Sequence, residues 1–214
     1  MAYAIKEIYT TLQGEGYHTG RTAVFVRFAG CNLWSGREDD REGAVCSFCD
    51  TDFVGINGPN GGKFPSASDA ARQIVRVWND ATGKENSVPF VVCTGGEPLL
   101  QLDEELIGEL HGLGCYIAIE TNGTIKAPGQ IDWICVSPKN DSTIAQQNGD
   151  ELKLVWYQKQ APPEKFESLN FTHFFLQPMD GDDVDRFTQE AIAYCRSNPQ
   201  WRLSLQTHKM LGIP

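Results

Sequence analysis

Short runs of consecutive apolar residues punctuate the chain at 23–28, 90–93, 115–119, 133–136, 152–156, 174–176 and 203–205. Several are apolar at nearly every position, as expected of parallel strands buried on both faces. Stripes at helical spacing lie between some of them. Over 68–78, Ala71, Ile74, Val75 and Trp78 share one face, with Ser68 or Asp69 placed to cap the start. Over 103–111, Leu106, Ile107 and Leu110 do the same, and 183–196 carries Val184, Phe187, Ala191, Ile192 and Cys195. Residues 124–131 and 140–150 are too polar or too broken for full crossover helices. The alternation predicts an α/β fold: one domain over 1–214, a partial parallel (β/α) barrel with some helices lost. The 214 residues fall a little short of a complete barrel of ~250. No internal repeat appears, and 57–62 is a Gly/Asn loop without evident chemistry.

In such barrels function collects just past the C-terminal end of each strand. Those positions hold Arg27, Thr94-Gly95-Gly96-Glu97, Glu120-Thr121-Asn122, Ser137-Pro138-Lys139, Gln177-Pro178-Met179-Asp180 and Gln206-Thr207-His208. Strand ends are commonly polar. Glu, Arg, Lys and His together form a richer set than turns require.

Composition narrows the function classes. Apolar residues make up 41% and the formal charge is −10, so a packed core is expected and a phosphate-backbone binder is not. No run is long enough to span a membrane, and the first residues lack the order of a signal peptide. Cys93, Cys115 and Cys135 lie in apolar runs and Cys195 in a helical one. They read as small buried hydrophobes in a reducing compartment, hence a cytoplasmic protein.

The other three cysteines, Cys31, Cys46 and Cys49, share one loop over 30–50. A lone C-x-x-C is compatible with zinc, a redox dithiol or nothing. Structural zinc wants four ligands, and Asp50 and His18 have poor spacing for the fourth. A dithiol leaves Cys31 unexplained. An iron–sulfur cluster with one iron open to a small molecule accounts for three thiolates. Thr94-Gly95-Gly96-Glu97-Pro98 shifts the balance toward the cluster: its glycines would let backbone approach a ligand, and Glu97 would bring an acceptor. Arg37 and Arg41 form a local basic pair, either a solvated loop or a dock for an acidic redox donor.

The three cysteines with the Gly-Gly-Glu-Pro turn resemble the radical S-adenosylmethionine enzymes. Leu12-Gln13-Gly14-Glu15-Gly16, Phe28-Ala29-Gly30-Cys31-Asn32-Leu33, Cys49-Asp50-Thr51, Glu120-Thr121-Asn122-Gly123, Ser137-Pro138-Lys139, Gln177-Pro178-Met179-Asp180 and the closing Gln206-Thr207-His208-Lys209-Met210-Leu211-Gly212-Ile213-Pro214 are similar to the 7-carboxy-7-deazaguanine synthases. The motifs span the chain. One departure is the long stretch between Cys31 and Cys46, which matches a long-loop subgroup rather than the shorter spacing usual in the superfamily.

The resemblance implies a radical SAM barrel. It implies a ring contraction of 6-carboxy-5,6,7,8-tetrahydropterin to 7-carboxy-7-deazaguanine with loss of ammonia. Cys31, Cys46 and Cys49 would hold a 4Fe–4S cluster, and Thr51 would ligate Mg²⁺. Phe48, Asp50, Gly96, Ser137, Pro138, Lys139, Gln177, Pro178, Met179 and Asp180 would bind S-adenosylmethionine. Leu12, Gln13, Gly14, Glu15, Arg27, Thr94, Glu120, His208 and Pro214 would bind substrate, Glu120 accepting from the pterin edge and Arg27 pairing with the substrate carboxylate. A homodimer and a flavodoxin-like or other electron donor are implied partners. A glycyl-radical activase shares the cluster and the Gly-Gly-Glu-Pro turn but leaves Glu120 and the closing motif unexplained. A zinc-bound interaction module is the alternative outside catalysis.

Overall fold

The computed structural model describes residues 2–83 and 87–214. Nine strands form one sheet: β1 (Tyr3–Leu12), β2 (Thr22–Phe28), β3 (Gly62–Phe64), β4 (Phe90–Gly95), β5 (Tyr116–Thr121), β6 (Trp133–Val136), β7 (Asn148–Trp156), β8 (Asn170–Pro178) and β9 (Trp201–Leu203). Their order is β3-β1-β2-β4-β5-β6-β7-β8-β9. From β2 to β9 every neighbouring pair is parallel, while β1 runs antiparallel to both β2 and β3. The sheet is open rather than a closed ring.

Helices α1 (Ala67–Thr82), α2 (Glu104–Gly112) and α3 (Val184–Ser197) precede β4, β5 and β9, and a short α4 (Thr207–Leu211) follows β9. No helix joins β5 to β6 or β6 to β7, in line with the broken polar pattern there. The last residues of the expected 140–150 connection, Asn148 to Asp150, already belong to β7. Ser66, not Ser68 or Asp69, caps α1 by accepting from the Asp69 N–H, because helical backbone begins at Ala67. The strand expected at 203–205 instead spans Trp201–Leu203, and Cys115 lies just before β5. In α3 only Ala191 is fully buried and Val184 is exposed.

Alternation of side chains across each strand builds two different faces. Val24, Val26 and Phe28 of β2, Val91 and Cys93 of β4, and Ile117 and Ile119 of β5 pack in one core with α1 and α2. Leu152, Leu154 and Leu176 pack in a second with Ala191 and Trp201. On the opposite, concave face Ala23, Phe25, Phe90, Val92 and Ala118 make a smaller apolar floor. One or two positions further along the same strands, the concave face turns polar. That change places the site. Among the described residues no helix is long and apolar enough to cross a membrane.

Candidate active site

A cavity of about 380 Å³ opens on the concave face at the C-terminal strand ends. Arg27 from β2, Thr94 from β4, Glu120 from β5, Lys153 and Val155 from β7 and Gln177 from β8 all reach it by that alternation. Every residue that the resemblance assigns to the cluster, the ion, the cofactor or the substrate lines it except Pro138, which is buried beside it and whose carbonyl accepts from Gln158 Nε2 at 3.2 Å.

The thiols of Cys31, Cys46 and Cys49 share one wall. Burial pushes the Cys31 thiol up, although the Leu33 N–H donates to its sulfur at 3.4 Å. A hydrogen bond joins the free thiols of Cys46 and Cys49. That contact holds Cys46 above an ordinary thiol and lowers Cys49 to about 6. Among the described residues no group of three His, Cys, Asp or Glu side chains converges as one ion's ligand shell requires. Three thiols lining one cavity are a donor set that would suit a cluster with one iron left open.

The loop that carries the cysteines folds around Arg41 and Trp34. Arg41 donates to the carbonyls of Ser47 and Cys49, both at 2.9 Å, and its guanidinium lies 4.1 Å from the Trp34 ring centre. Arg41 therefore braces the loop from within while its side chain stays 31% exposed. Asn140 Nδ2 donates to the Val45 carbonyl at 2.5 Å, and Asn122 Nδ2 to Asn32 Oδ1 at 2.9 Å, so both ends of the long insertion are tied to the sheet.

The Gly-Gly-Glu turn, whose two glycines line the cavity, also serves the packing behind it. A Cβ on Gly96 would sit 2.1 Å from the Gly30 carbonyl oxygen and 2.7 Å from Cys31 Cβ. One on Gly95, whose φ is +140°, would meet the Phe28 backbone at 2.3 Å. The glycines make room for the chain entering the cysteine loop. Glu97 N–H then donates to the Gly30 carbonyl at 2.9 Å. Its carboxylate is fully buried and accepts from Thr121 Oγ1 at 2.7 Å, Asn122 N–H at 2.8 Å and Leu99 N–H at 3.0 Å. Glu97 locks β4 to β5 and does not line the cavity.

No family model matches the chain. Full-length relatives do. The 7-carboxy-7-deazaguanine synthase of Caulobacter vibrioides is 60% identical over 214 residues, covering 100% of both chains. That of Bordetella pertussis is 58% identical with the same coverage. That of Neisseria meningitidis is 33% identical over 99% of this chain and 94% of its own. The crystal structure of QueE from Escherichia coli matches with a TM-score of 0.69 at 26% identity, over 96% of this chain and 94% of that one. The chain belongs to the 7-carboxy-7-deazaguanine synthase family. It is an enzyme.

In this synthase the substrate-side candidates form a bonded group. Gln13 Nε2 donates to Glu120 Oε1 at 2.9 Å, and Glu15 N–H donates to Gln13 Oε1 at 3.1 Å. Gly14 lies so close to His208 that a Cβ would meet Nδ1 at 2.1 Å. Arg27 donates through Nε to Glu7 Oε1 at 2.7 Å and through Nη2 to Tyr9 OH at 3.0 Å. Its guanidinium is thus already oriented across the cavity. Lys139 Nζ folds onto the oxygens of Ser137.

Lys153 escaped the sequence reading, and Gln206 and Lys209 appeared there without a role of their own. Lys153 ion-pairs with Glu15 at 2.5 Å and Glu120 at 3.3 Å. Gln206 Nε2 donates to Glu15 Oε1 at 3.0 Å. Lys209 bridges Asp50 and Asp180, each at 2.6 Å. A lysine flanked by apolar residues in the run at 152–156 was the available signal for the first.

Beside β1 the rim is held by hydrogen bonds outside any strand ladder. Gly16 N–H donates to Ser204 Oγ at 2.9 Å, and Thr207 donates from N–H and Oγ1 to the Gly14 carbonyl, both at 3.0 Å.

Proposed function

We propose that this synthase carries out the ring contraction of 6-carboxy-5,6,7,8-tetrahydropterin to 7-carboxy-7-deazaguanine, releasing ammonia. Supporting that reading is one observation: three thiols and a group of paired carboxylates open into the same cavity, in a chain 60% identical to a synthase of that name. Cys31, Cys46 and Cys49 would hold a 4Fe–4S cluster, whose open iron would supply the electron that splits bound S-adenosylmethionine.

The chain's own residues would then bind, orient and exclude water. Phe48, Asp50, Gly96, Ser137, Lys139 and the 177–180 segment stand where a nucleoside and its methionine portion would lie. Asp50 and Asp180 both line the cavity and are braced by Lys209. Thr51 would give Mg²⁺ one oxygen, the ion keeping waters and a substrate carboxylate for the rest. Glu120, oriented by Gln13, would accept from the amino-pyrimidinone edge, and Arg27, held by Glu7 and Tyr9, would meet the substrate carboxylate. His208, Thr94 and residues 12–15 would fill the remaining edges. A homodimer, an electron donor of the flavodoxin type and a cytoplasmic setting complete the reading.

The test is anaerobic reconstitution with iron and sulfide, then incubation with S-adenosylmethionine, Mg²⁺, dithionite and the pterin, followed by mass spectrometry. The expected product is 7-carboxy-7-deazaguanine. Alanine at Cys31, Cys46 or Cys49 should each abolish absorption near ~400 nm, whereas alanine at Cys93 or Cys195 should not. A colourless protein with bound zinc, or a cluster without product, overturns the reading.

A further inference from the structure

Lys153 has no part in the chemistry above, yet it stands in the middle of the pocket floor. β7 presents Glu151, Lys153 and Val155 to the concave face while Leu152 and Leu154 enter the outer core. The Lys153 side chain is 4% exposed, against 15% for Glu15 and 22% for Glu120. Its ammonium donates to Oε2 of both carboxylates. The other side chains bonded to this pair are amides: Gln13 Nε2 donates to Glu120 Oε1, Gln206 Nε2 donates to Glu15 Oε1, and Gln177 also bonds to Glu15. The remaining titratable groups facing the lysine are Glu151 on its own strand and Cys135 on β6, both buried. The lysine and the amides bonded to the carboxylate pair donate to it, so the pair meets the cavity as an acceptor.

Two carboxylates crowded into a dry site do not both stay charged without a cation. One takes up a proton. A protonated carboxyl donates as well as accepts, so it can pair with a ligand carbonyl. A lysine between the two removes that option. We propose that Lys153 is a positioning residue that sets ligand preference: standing between Glu15 and Glu120, it keeps the floor a double acceptor. The floor then selects a heterocycle edge of adjacent N–H donors, an amino-pyrimidinone, over one with a carbonyl in the amino position. The inference rests on the proposed pterin-type substrate and adds the means by which the pocket rejects the oxo analogue. Opposite a carbonyl, acceptor would face acceptor with no proton to share, the kind of mismatch that gives large discrimination.

The experiment is anaerobic equilibrium binding without reductant. The ligands are 6-carboxytetrahydropterin and its counterpart with oxygen in place of the 2-amino group. The proteins are reconstituted wild type, Lys153→Met, Lys153→Gln and Lys153→Arg, with iron per chain and melting temperature reporting on folding. Wild type should prefer the amino compound by more than about tenfold. The Met and Gln variants should lose most of that ratio, chiefly by weakening the amino compound, and Arg should restore it. A purely structural role would weaken both ligands alike and leave the ratio unchanged. An unchanged ratio in the Gln variant, or a ratio near one in wild type, overturns the assignment. Should the Met variant fail to fold, the Gln and Arg variants carry the comparison; failure of all three to fold also overturns it. Wild type that binds neither compound overturns the substrate reading as well, which separates the two failures.

Discussion

Thr11 donates its hydroxyl to the carbonyl oxygen of Pro214 at 2.8 Å, tying β1 to residue 214 across the cavity mouth. The bond is exposed, so its net worth lies at the low end of about 0.5–1.5 kcal/mol. Thr11→Val should therefore raise KM about two- to threefold with kcat unchanged. A chain extended beyond Pro214 by a tag should lose more turnover than one extended before Met1. Steady-state kinetics of the variant and both tagged forms check this, and equal activity of the two tagged forms counts against it.

Gly96→Ala tests what holds the first cysteine in place. The new Cβ would collide with the Gly30 carbonyl and with Cys31 itself, a stretch of backbone pinned by the bond from the Glu97 N–H to the Gly30 carbonyl. Overpacking of this kind costs about 1–3 kcal/mol. The variant should bind distinctly less iron per chain after reconstitution than Gly108→Ala, whose Cβ meets nothing within 4 Å. Equal iron in the two would show that the turn does not position Cys31.

Lys209→Met removes the bridge between Asp50 and Asp180. All three side chains are well exposed to solvent, so global stability should change little, with the melting temperature within about 2 °C of wild type. Local anchoring should suffer instead. Amide exchange over 207–213 should speed severalfold, read by mass spectrometry. Unchanged exchange would mean that α4 is held by the Thr207–Gly14 bonds alone.

Acid should act on the pocket floor through Glu15. Burial pushes this carboxyl up, and the Lys153 ammonium more than offsets it, holding the group at about 2 against its ordinary 4.5. A lowered carboxyl stabilises the fold above its unfolded value. That contribution fades as pH drops from about 4.5 toward 2, by about 3 kcal/mol in total. Thermal melts between pH 6 and 2 should therefore fall more steeply for wild type than for Glu15→Gln. Parallel slopes would contradict the pairing.

The parallel part of the sheet was legible because its strands are buried on both faces and read as unbroken apolar runs. β1 was not. A bulge between Ile5 and Glu7 shifts its register, which breaks the alternation that marks a half-buried strand. Lys6 is also buried there, its ammonium satisfied by the Val54 carbonyl and Asn57. The same difficulty hid Lys153, since a charge inside an apolar run has no sequence sign of the partners that let it be buried. Glu15 and Glu120 lie far from it along the chain. For Gly95 and Gly96 the sequence revealed a need for space but not what occupies it, which is the backbone of 28–30. The three cysteines and the polar strand ends were legible as a group, because the fold gathers strand ends in one place whatever the details of packing.

The rim between residues 13–16 and 204–207 has a consequence for traffic. Where the cavity adjoins that rim, no run of paired strands has to part for it to widen. Letting a bulky molecule in or out there means exchanging a handful of individual bonds for water, while the nine-strand framework stays intact. Entry and departure can therefore be tuned, by changes at Ser204, Gln206 or Thr207, without unravelling the scaffold that carries the chemistry.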